Sequence, residues 1–403
     1  MFSKYVLIPD SFKGTMSSAE ICEIMSEVIK ERVPGAEVRA VPVADGGEGS
    51  VDAFLRALGG EKVTKRVKGP FGEEMDAFYG LINDRAATGG DRVVGDRAAD
   101  GGGKTAVVEM AACAGLPLVE GRPDPTRTTT FGVGQLMLDA ARRGVKKIIV
   151  GLGGSATNDG GCGAAAAAGV RFYDSDGRVF VPVGGTLSKI ERIDVSGFDT
   201  ALRGVEIITM CDIDNPLYGP EGAAAIFGPQ KGADARMIEQ LDAGLRNLDA
   251  AIERCLQKKF AKMPGAGAAG GMGAGMAAFF GSELRMGIEV VLDTVRFDEL
   301  IAGADLILTG EGKIDGQSLR GKVVIGVARR AKGSGVPVAA IVGDIGDGAE
   351  GAYQEGVAGI FSINRRAEDF SVAKRRSKED LRFTVENLVR FCGGAGVYAP
   401  KSS

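Results

Sequence analysis

The chain has 403 residues, a hydrophobic fraction of 44% and a formal net charge of −4 at pH 7. This length is enough for two or three domains with buried cores. Because charges of both signs are scattered, the sequence excludes the basic surface that nucleic acids and anionic membranes require. No apolar stretch is long enough for a transmembrane helix or a secretory signal, so we expect a cytoplasmic protein without nucleic-acid or membrane partners.

Histidine is absent, and the six cysteines lie far apart without a C-x-x-C pair. The absence of histidine excludes Ser-His-Asp hydrolysis and most catalytic zinc sites. The cysteine spacing predicts reduced thiols and no disulfide framework. Any general base must therefore be Asp, Glu, Lys, Tyr or Cys.

The N-terminal part of the chain has the pattern of a parallel sheet. Lys4 to Ile8 is predicted as a buried strand, followed by a helix that Ser17 or Ser18 caps. Val38 to Val43 is predicted as a second strand, before a helix at 50–58. Each strand ends in a polar, glycine-containing loop, which is typical of β-α-β units whose ligands bind beyond the carboxyl ends of the strands.

The middle of the chain has a different pattern. Alternating strands at 62–67 and 75–81 indicate an antiparallel or mixed sheet, and 83–103 lacks periodicity and is predicted as an exposed loop. Further strands are predicted at 105–110, 148–150, 171–173 and 205–210, and helices at 130–143 and 235–256.

The last third returns to the β-α-β pattern. Strands at 305–308 and 336–342 are predicted to end in loops at 309–315 and 343–344, with helices at 318–330 and near 378–391. We therefore predict an α/β protein in which an open parallel-sheet, Rossmann-like domain (1–64 and 286–403) is interrupted by a second α/β domain with a mixed sheet (65–285). The predicted active site lies in the cleft between them.

The stretch from Ile148 to Gly161 is the central candidate for a ligand site. A short apolar run leads into glycines, hydroxyls and a carboxylate, which is typical of a buried strand followed by a loop whose backbone comes close to a ligand. The composition favours a phosphate, and a helix begun by the run Ala164 to Ala168 would direct its N-terminal dipole toward it. The alternative is a tight strand-to-helix turn without a ligand.

Two glycine patterns leave other functions open. Gly151-x-Gly153-x-x-Ala156, with Asp174 near the distance expected for a ribose contact, indicates an NAD-dependent hydroxy-acid oxidoreductase as an alternative. Against it, residues 157–161 lengthen the loop before the helix. Gly265-x-Gly267-x-x-Gly270 fits either a phosphate loop or a Gly/Ala segment for helix packing.

Predicted strand-end loops repeatedly combine small residues with a carboxylate or a lysine. They contain Asp10 and Lys13; Asp45 and Glu48; Asn158 and Asp159; Asp212 and Asp214; Lys231; and Glu311, Lys313 and Asp315. Phosphoryl transfer requires such groups: backbone donors and lysines for phosphate oxygens, carboxylates for Mg²⁺, and one carboxylate that takes a hydroxyl proton. Together the loops favour a kinase. A non-catalytic protein that binds a phosphorylated metabolite is the other alternative.

The same loops, in the same order, resemble the bacterial glycerate kinase family nearly end to end. The motifs are PDSFK at 9–13, VADGGEG at 43–49, GGSATNDGG at 153–161, FGPQKGA at 227–233, PGAGAAGG at 264–271 and TGEGKID at 309–315. The resemblance implies two α/β domains and ATP-dependent phosphorylation of D-glycerate. Two departures are the 83–103 segment, longer than the short turn usual in the family, and Lys313, where Arg is also common.

We expect ATP and Mg²⁺ as cofactors, a monomer or homodimer, and 2-phosphoglycerate in preference to 3-phosphoglycerate. Asp45 or Asp159 is the candidate base. The expected catalytic residues are Asp45, Asp159, Lys231 and Lys313. The expected nucleotide-binding residues are Gly153, Gly154, Ser155, Thr157, Asn158, Gly267, Gly270 and Gly271. Substrate binding is expected at Asp10, Ser11, Lys13, Glu48 and Lys322, and metal binding at Asp212, Asp315 and Glu311.

Overall fold

The structure is a computed structural model that describes residues 2–44, 46–83 and 103–394. Its strands are β1 (Lys4–Pro9), β2 (Glu37–Ala40), β3 (Glu61–Lys68), β4 (Glu74–Asn83), β5 (Lys104–Glu109), β6 (Lys147–Gly151), β7 (Arg171–Tyr173), β8 (Val179–Phe180), β9 (Arg192–Asp194), β10 (Glu206–Met210), β11 (Glu283–Arg285), β12 (Leu306–Ile314), β13 (Val338–Ile345) and β14 (Val357–Ser362).

The α-helices are α1 (Ser18–Arg32), α2 (Ser50–Leu58), α3 (Ala111–Ala114), α4 (Phe131–Arg142), α5 (Cys162–Ala167), α6 (Ala223–Phe227), α7 (Ala235–Leu256), α8 (Ala268–Phe280), α9 (Gly287–Thr294), α10 (Phe297–Leu300), α11 (Val323–Ala331), α12 (Phe370–Ala373) and α13 (Ser377–Gly394). Short 3₁₀ turns include Pro229–Lys231 and Ser318–Arg320.

The chain divides into two compact units. Unit 1 comprises Met1–Asp45 and Ile288–Ser403, and unit 2 comprises Gly46–Gly287. The first division lies earlier than the predicted one after residue 64, because α2 belongs with the sheet of unit 2. The buried carboxylate of Glu109, at the end of β5, accepts hydrogen bonds from the N–H groups of Gly49 and Val51 at the start of α2.

Unit 1 contains a parallel sheet in the order β14-β13-β12-β1-β2. The central strands are continuous apolar runs because parallel sheets are covered on both faces. Helix α1 begins with a capping box in which Ser17 accepts from the Glu20 N–H and the Glu20 carboxylate accepts from the Ser17 N–H. Helices α1 and α13 pack together, and both contribute to the core over this sheet.

Four predicted elements of unit 1 differ from the structure. Strand β2 ends at Ala40 rather than Val43. Strands β12 and β13 continue to Ile314 and Ile345, through most of the predicted loop 309–315 and all of the predicted loop 343–344. Glycines occur there because the strands come close together: a Cβ at Gly343 would contact the backbone of Gly312. The predicted helix 318–330 is also divided, since Gly321 has φ +109° and ends the 3₁₀ turn before α11.

Unit 2 contains the predicted mixed sheet, in the order β11-β10-β6-β5-β4-β3. Strands β5, β6, β10 and β11 are parallel, and β4 is antiparallel to both of its neighbours. A smaller antiparallel sheet has the order β8-β7-β9. The α/β fold class predicted from the sequence is therefore confirmed. The glycine-rich stretch that follows β6 leaves the sheet at its carboxyl edge.

Candidate active site

The loop 152–161 of unit 2 is held by close backbone contacts. The N–H groups of Gly153, Ala156 and Gly160 donate to the carbonyl oxygens of Gly46, Ala114 and Gly270, respectively, at 2.9–3.0 Å. A Cβ at Gly153 would lie 2.5 Å from the Gly47 Cα. Glycine is required at this position because two backbone segments touch. These N–H groups are used within the protein, so a ligand would have to be bound by other groups of the loop.

Lys231 links this loop to the turn after α6. Its side chain is 1% exposed, and Nζ donates to Ser155 Oγ at 2.9 Å and to the Thr157 carbonyl oxygen at 2.6 Å. Burial lowers the pKa of Lys231 to about 7, and the negative charge of Asp159 acts in the opposite direction. Lys231 therefore fixes the shape of the loop and places an amine in contact with Ser155 and Thr157.

Thr157 and Asn158 carry the unsatisfied polar atoms of the loop. Both side chains are fully buried, and Thr157 Oγ1 and both amide atoms of Asn158 have no hydrogen-bond partner among the described residues. A buried polar group without a partner destabilises the folded state by about 1–3 kcal/mol, so such groups are uncommon in native structures. Their position in a glycine-rich loop at the carboxyl edge of a sheet is that expected of a ligand site.

Asp159 lies in the same loop but is bonded to the protein through both oxygens. Oδ2 accepts from the Thr130 N–H at 2.7 Å, the Thr130 hydroxyl at 2.9 Å and the Gly163 N–H at 3.2 Å, while Oδ1 accepts from the Gly161 N–H at 3.0 Å. Burial raises the pKa of Asp159, and these hydrogen bonds act in the opposite direction. The carboxylate thus joins the starts of α4 and α5, which favours a structural role over that of a base.

The second glycine stretch packs onto the first. Gly270 has φ +70°, and a Cβ there would lie 2.5 Å from the Asn158 Cα and closer still to the Thr157 carbonyl oxygen. Gly271 approaches Gly160, and Gly267 approaches Pro216. Of the two interpretations of this stretch, the contacts favour packing: Gly270 and Gly271 support the 152–161 loop, and Gly267 packs against the backbone of 215–216.

The other predicted residues of unit 2 lie in varied surroundings. Glu48 is exposed, as is Gly154. Asp212 is exposed beyond the end of β10, and its Oδ1 accepts from the Gly287 N–H at 2.6 Å. Asp174 Oδ1 accepts from the N–H groups of Asp176 and Arg178 in the turn between β7 and β8, which gives no support to a ribose contact. Asp45, a candidate base, lies outside the described residues, as does most of the 83–103 segment.

In unit 1, the carboxyl ends of β1 and β12 bring together several of the predicted residues. Pro9 pairs with Gly310, and the Asp10 N–H donates to the Gly310 carbonyl oxygen at 2.8 Å. Asp10 Oδ1 accepts from the Ser11 N–H at 2.6 Å, and a Cβ at Gly312 would lie 3.5 Å from the Lys13 N atom. Asp10, Ser11 and Lys13 therefore lie beside the strand that carries Glu311.

Glu311 is the buried carboxyl of this edge. It is 5% exposed, and its Oε1 has no hydrogen-bond partner within the described part of the chain. Burial raises the pKa of Glu311 to about 7, while a hydrogen bond from the Ser318 hydroxyl and the charge of Lys322 act in the opposite direction. The charges of Asp10 and Asp315 add to the rise.

The residues after Glu311 shape its surroundings. Asp315 Oδ1 accepts from the N–H groups of Gln317 and Ser318, so this carboxylate caps the 3₁₀ turn. Lys322 is exposed at the start of α11. Lys313 is 54% exposed, and its Nζ lies 4.0 Å from Asp344. Ser318, which no sequence pattern singled out as functional, is fully buried, and its Oγ accepts from the Asp315 N–H at 3.3 Å. The hydroxyl also lies close enough to Glu311 to lower the pKa of its carboxyl.

A preformed metal site is not seen in the ranges 2–44, 46–83 and 103–394, which hold no group of three or more Asp, Glu or Cys side chains able to bind an ion. Magnesium, however, keeps several waters and commonly uses one or two carboxylates together with substrate phosphates. Among the three predicted ligands, exposed Asp212 suits this coordination. Buried Glu311 and the capping residue Asp315 suit it less.

Two features define the class of protein. The chain combines a parallel sheet and a mixed sheet, and it places hydroxyl, amide and amine groups in glycine-rich loops at the carboxyl edges of both. Within the described ranges, the helices are too short or too polar to cross a bilayer. The arrangement is that of an α/β protein with a site for small polar ligands.

Comparison with known proteins identifies the family. The sequence profile of the Glycerate kinase family matches residues 5–393. The chain is 42% identical over 386 residues to the glycerate kinase of Bacillus subtilis (strain 168), covering 96% of each protein. It is 42% identical over 361 residues to the glycerate 2-kinase of Escherichia coli (strain K12), covering 89% of this chain and 90% of that protein.

A solved structure gives the same result. A Salmonella typhimurium LT2 crystal structure that carries the designation glycerate kinase 2 superposes with a TM-score of 0.83 and 39% identity, covering 98% of this chain and 100% of that one. The chain belongs to the glycerate kinase family. The resemblance found in the sequence motifs is thereby confirmed, and the oxidoreductase alternative is set aside.

Proposed function

We propose that this protein is a glycerate kinase that transfers the γ-phosphoryl group of ATP to D-glycerate and forms 2-phosphoglycerate. Membership of the glycerate kinase family supports the reaction, and the name of the Escherichia coli relative supports the position of the phosphoryl group. One structural observation carries the proposal. The buried side chains of Thr157 and Asn158 have polar atoms without a hydrogen-bond partner in the described ranges, and they lie next to Lys231, which donates to the Thr157 carbonyl oxygen.

The nucleotide phosphates are assigned to the 152–161 loop of unit 2. The Thr157 hydroxyl and the Asn158 amide can donate to phosphate oxygens, which accept hydrogen bonds only. The exposed backbone at Gly154 lets a ligand approach the loop closely. Lys231 already has two protein acceptors, Ser155 Oγ and the Thr157 carbonyl oxygen, so its contribution is to fix the loop and to add positive potential.

Magnesium fits this unit as a cation that arrives with the nucleotide. Asp212 would hold it, because its carboxylate is exposed beyond the carboxyl end of β10, next to the strand that precedes the loop. When bound, the ion neutralises charge on the phosphate oxygens.

Glycerate is assigned to the carboxyl edge of the unit 1 sheet. Lys13 and Lys322 are the candidates for its carboxylate, because ammonium groups bind carboxylates through charge-assisted hydrogen bonds. Asp10 and Ser11, beside β12, are the candidates for its hydroxyl groups. Lys313 is exposed and stays a candidate for phosphate charge. A cytoplasmic location and a monomeric or homodimeric state stay predictions from the sequence.

The test is ATP consumption with D-glycerate in the presence of Mg²⁺ or EDTA, for the parent chain and for Asn158→Leu. Leucine keeps the approximate volume but removes the amide, and loss of one phosphate contact of about 1.4 kcal/mol raises the KM for ATP about tenfold. Asn364→Leu is the matched control, because Asn364 is exposed in unit 1. An unchanged KM for ATP in Asn158→Leu would remove this residue from the nucleotide site. Glycerate binding without ATP consumption would favour a non-catalytic binding protein.

A further inference from the structure

The carboxyl of Glu311 has an unusual position for a buried acid. It lies on β12, between β13 and β1, with its backbone in register with Val342 and the preceding Gly310 in register with Pro9. Both neighbouring strands run parallel to β12, so Glu311 lies toward the carboxyl edge of the sheet. Ligands of open α/β sheets bind beyond this edge.

The hydrogen bonding of Glu311 is incomplete. The Ser318 hydroxyl lies close enough to the carboxyl to lower its pKa, whereas Oε1 has no partner in the described ranges. The side chain is only 5% exposed. The charged groups that act on the carboxyl are Lys322, Asp10 and Asp315. An unsatisfied carboxyl oxygen inside a polar edge of this kind is explained by a ligand that donates a hydrogen bond to it.

We propose that Glu311 accepts a hydrogen bond from the glycerate hydroxyl that is phosphorylated and takes its proton, with Ser318 as a positioning residue. The inference rests on the proposed kinase function and names the group that serves as its base. It differs from the sequence prediction, which placed Glu311 on a metal and gave the role of base to Asp45 or Asp159.

Proton transfer to Glu311 accompanies the transfer of the phosphoryl group. The glycerate O–H bond breaks as its oxygen forms a bond to the γ-phosphorus, and the proton moves to Oε1 of Glu311. The bond from the γ-phosphorus to the β–γ bridging oxygen breaks, and its electron pair leaves with ADP. Glu311 later releases the proton to water. A buried carboxylate that can take a proton near neutral pH, with a hydroxyl close by, is suited to this role.

Asp159 is less suited to the same step. Its two oxygens accept hydrogen bonds from Thr130, Gly161 and Gly163, which hold the starts of two helices in place. Proton uptake would break that arrangement. Glu311, in contrast, has an oxygen, Oε1, that no group of the described ranges binds and that is available for a hydroxyl.

The experiment compares Glu311→Gln, Glu311→Asp and Ser318→Ala with the parent enzyme, using a coupled ADP assay with D-glycerate and ATP varied separately. Glu350→Gln is the matched control, since Glu350 is exposed on the same unit. For Glu311→Gln we expect kcat to fall at least about a hundredfold, the usual size of a general-base effect, with the KM for ATP unchanged. Ser318→Ala should lower kcat about tenfold and preserve the KM for ATP, because it disturbs orientation alone.

Folding is checked by thermal unfolding of each variant, and Glu311→Asp covers the case in which Glu311→Gln does not fold. Aspartate keeps the charge but withdraws the carboxyl, so a folded Glu311→Asp enzyme should also lose at least about tenfold in kcat. A folded Glu311→Gln or Glu311→Asp enzyme with kcat within about threefold of the parent overturns the inference while leaving the kinase function intact. A parent chain that consumes no ATP with glycerate overturns both.

Discussion

Replacing Gly270 by alanine tests the contact between the two glycine-rich stretches of unit 2. The new Cβ would lie 2.5 Å from the Asn158 Cα and closer still to the Thr157 carbonyl oxygen. Both neighbours are backbone atoms, so no flexible side chain can move aside. Gly270 also has φ +70°, a conformation that an L residue with a Cβ adopts at a cost.

The expected loss of folding stability is the sum of a conformational and a packing contribution. The left-handed conformation destabilises the folded state by about 1–2 kcal/mol. Overpacking in a close-packed interior adds about 1–3 kcal/mol, because the backbone of the loop must shift. The sum is about 2–5 kcal/mol, which lowers the Tm of a unit of this size by roughly 4–20 °C.

Gly281 provides the matched control at the end of the same helix. It has φ +63° and nothing within 4 Å of the position of a Cβ, so Gly281→Ala has the conformational term alone. Differential scanning calorimetry should show a clearly larger loss of Tm for Gly270→Ala, together with a raised KM for ATP. Equal losses for the two variants would refute the claim that this contact shapes the loop.

Three further predictions concern buried ionisable groups. Lys231 has a folded-state pKa of about 7, below its ordinary 10.5, so the unfolded chain binds more protons between these values. The free energy of unfolding measured with urea should therefore rise between about pH 7 and 10.5 in the parent, and rise less in Lys231→Met. The same pH dependence in both proteins would exclude a buried charge at Lys231. Asp159→Asn should lower the Tm, since an amide N–H₂ would face hydrogen-bond donors, with about 1–3 kcal/mol lost per mismatched contact; an unchanged Tm would argue against its role in holding α4 and α5. In the kinase assay, kcat should rise with pH toward about 7 as Glu311 loses its proton, and Glu311→Gln should lack this limb; the same limb in both enzymes would assign it to another group.

The sheet strands and long helices could be predicted from local patterns. Apolar runs such as Lys4–Pro9 and the helical spacing in Ala235–Leu256 identify their elements without tertiary information. The capping serine of α1 was also predictable, because Ser17 and Glu20 have the spacing of a capping box.

Glycine-rich strands could not be predicted in the same way. TGEGKI at 309–314 has the composition of a loop, yet it continues β12, because glycines let neighbouring strands approach and Lys313 pairs in register with Asp344 of β13. The first division between the units was similarly hidden. This division depends on Glu109, which accepts hydrogen bonds from the N–H groups of Gly49 and Val51 although these residues are distant in sequence.

Site residues were predictable by type but not by role. Asn158, Asp159 and Lys231 all belong to motifs that suggested phosphate chemistry, and all three lie together around one loop. Whether each oxygen or amine faces the protein or a ligand depends on tertiary packing. The sequence therefore could not separate the bonded carboxylate of Asp159 from the unpartnered amide of Asn158, nor single out Ser318 beside Glu311.

The most direct test of the account is the identity of the product. The parent chain is incubated with ATP, Mg²⁺ and D-glycerate, and the reaction is followed by phosphorus NMR. The account predicts that ADP and 2-phosphoglycerate appear in equal amounts and that neither forms in EDTA. The absence of any phosphorylated glycerate under these conditions would contradict it.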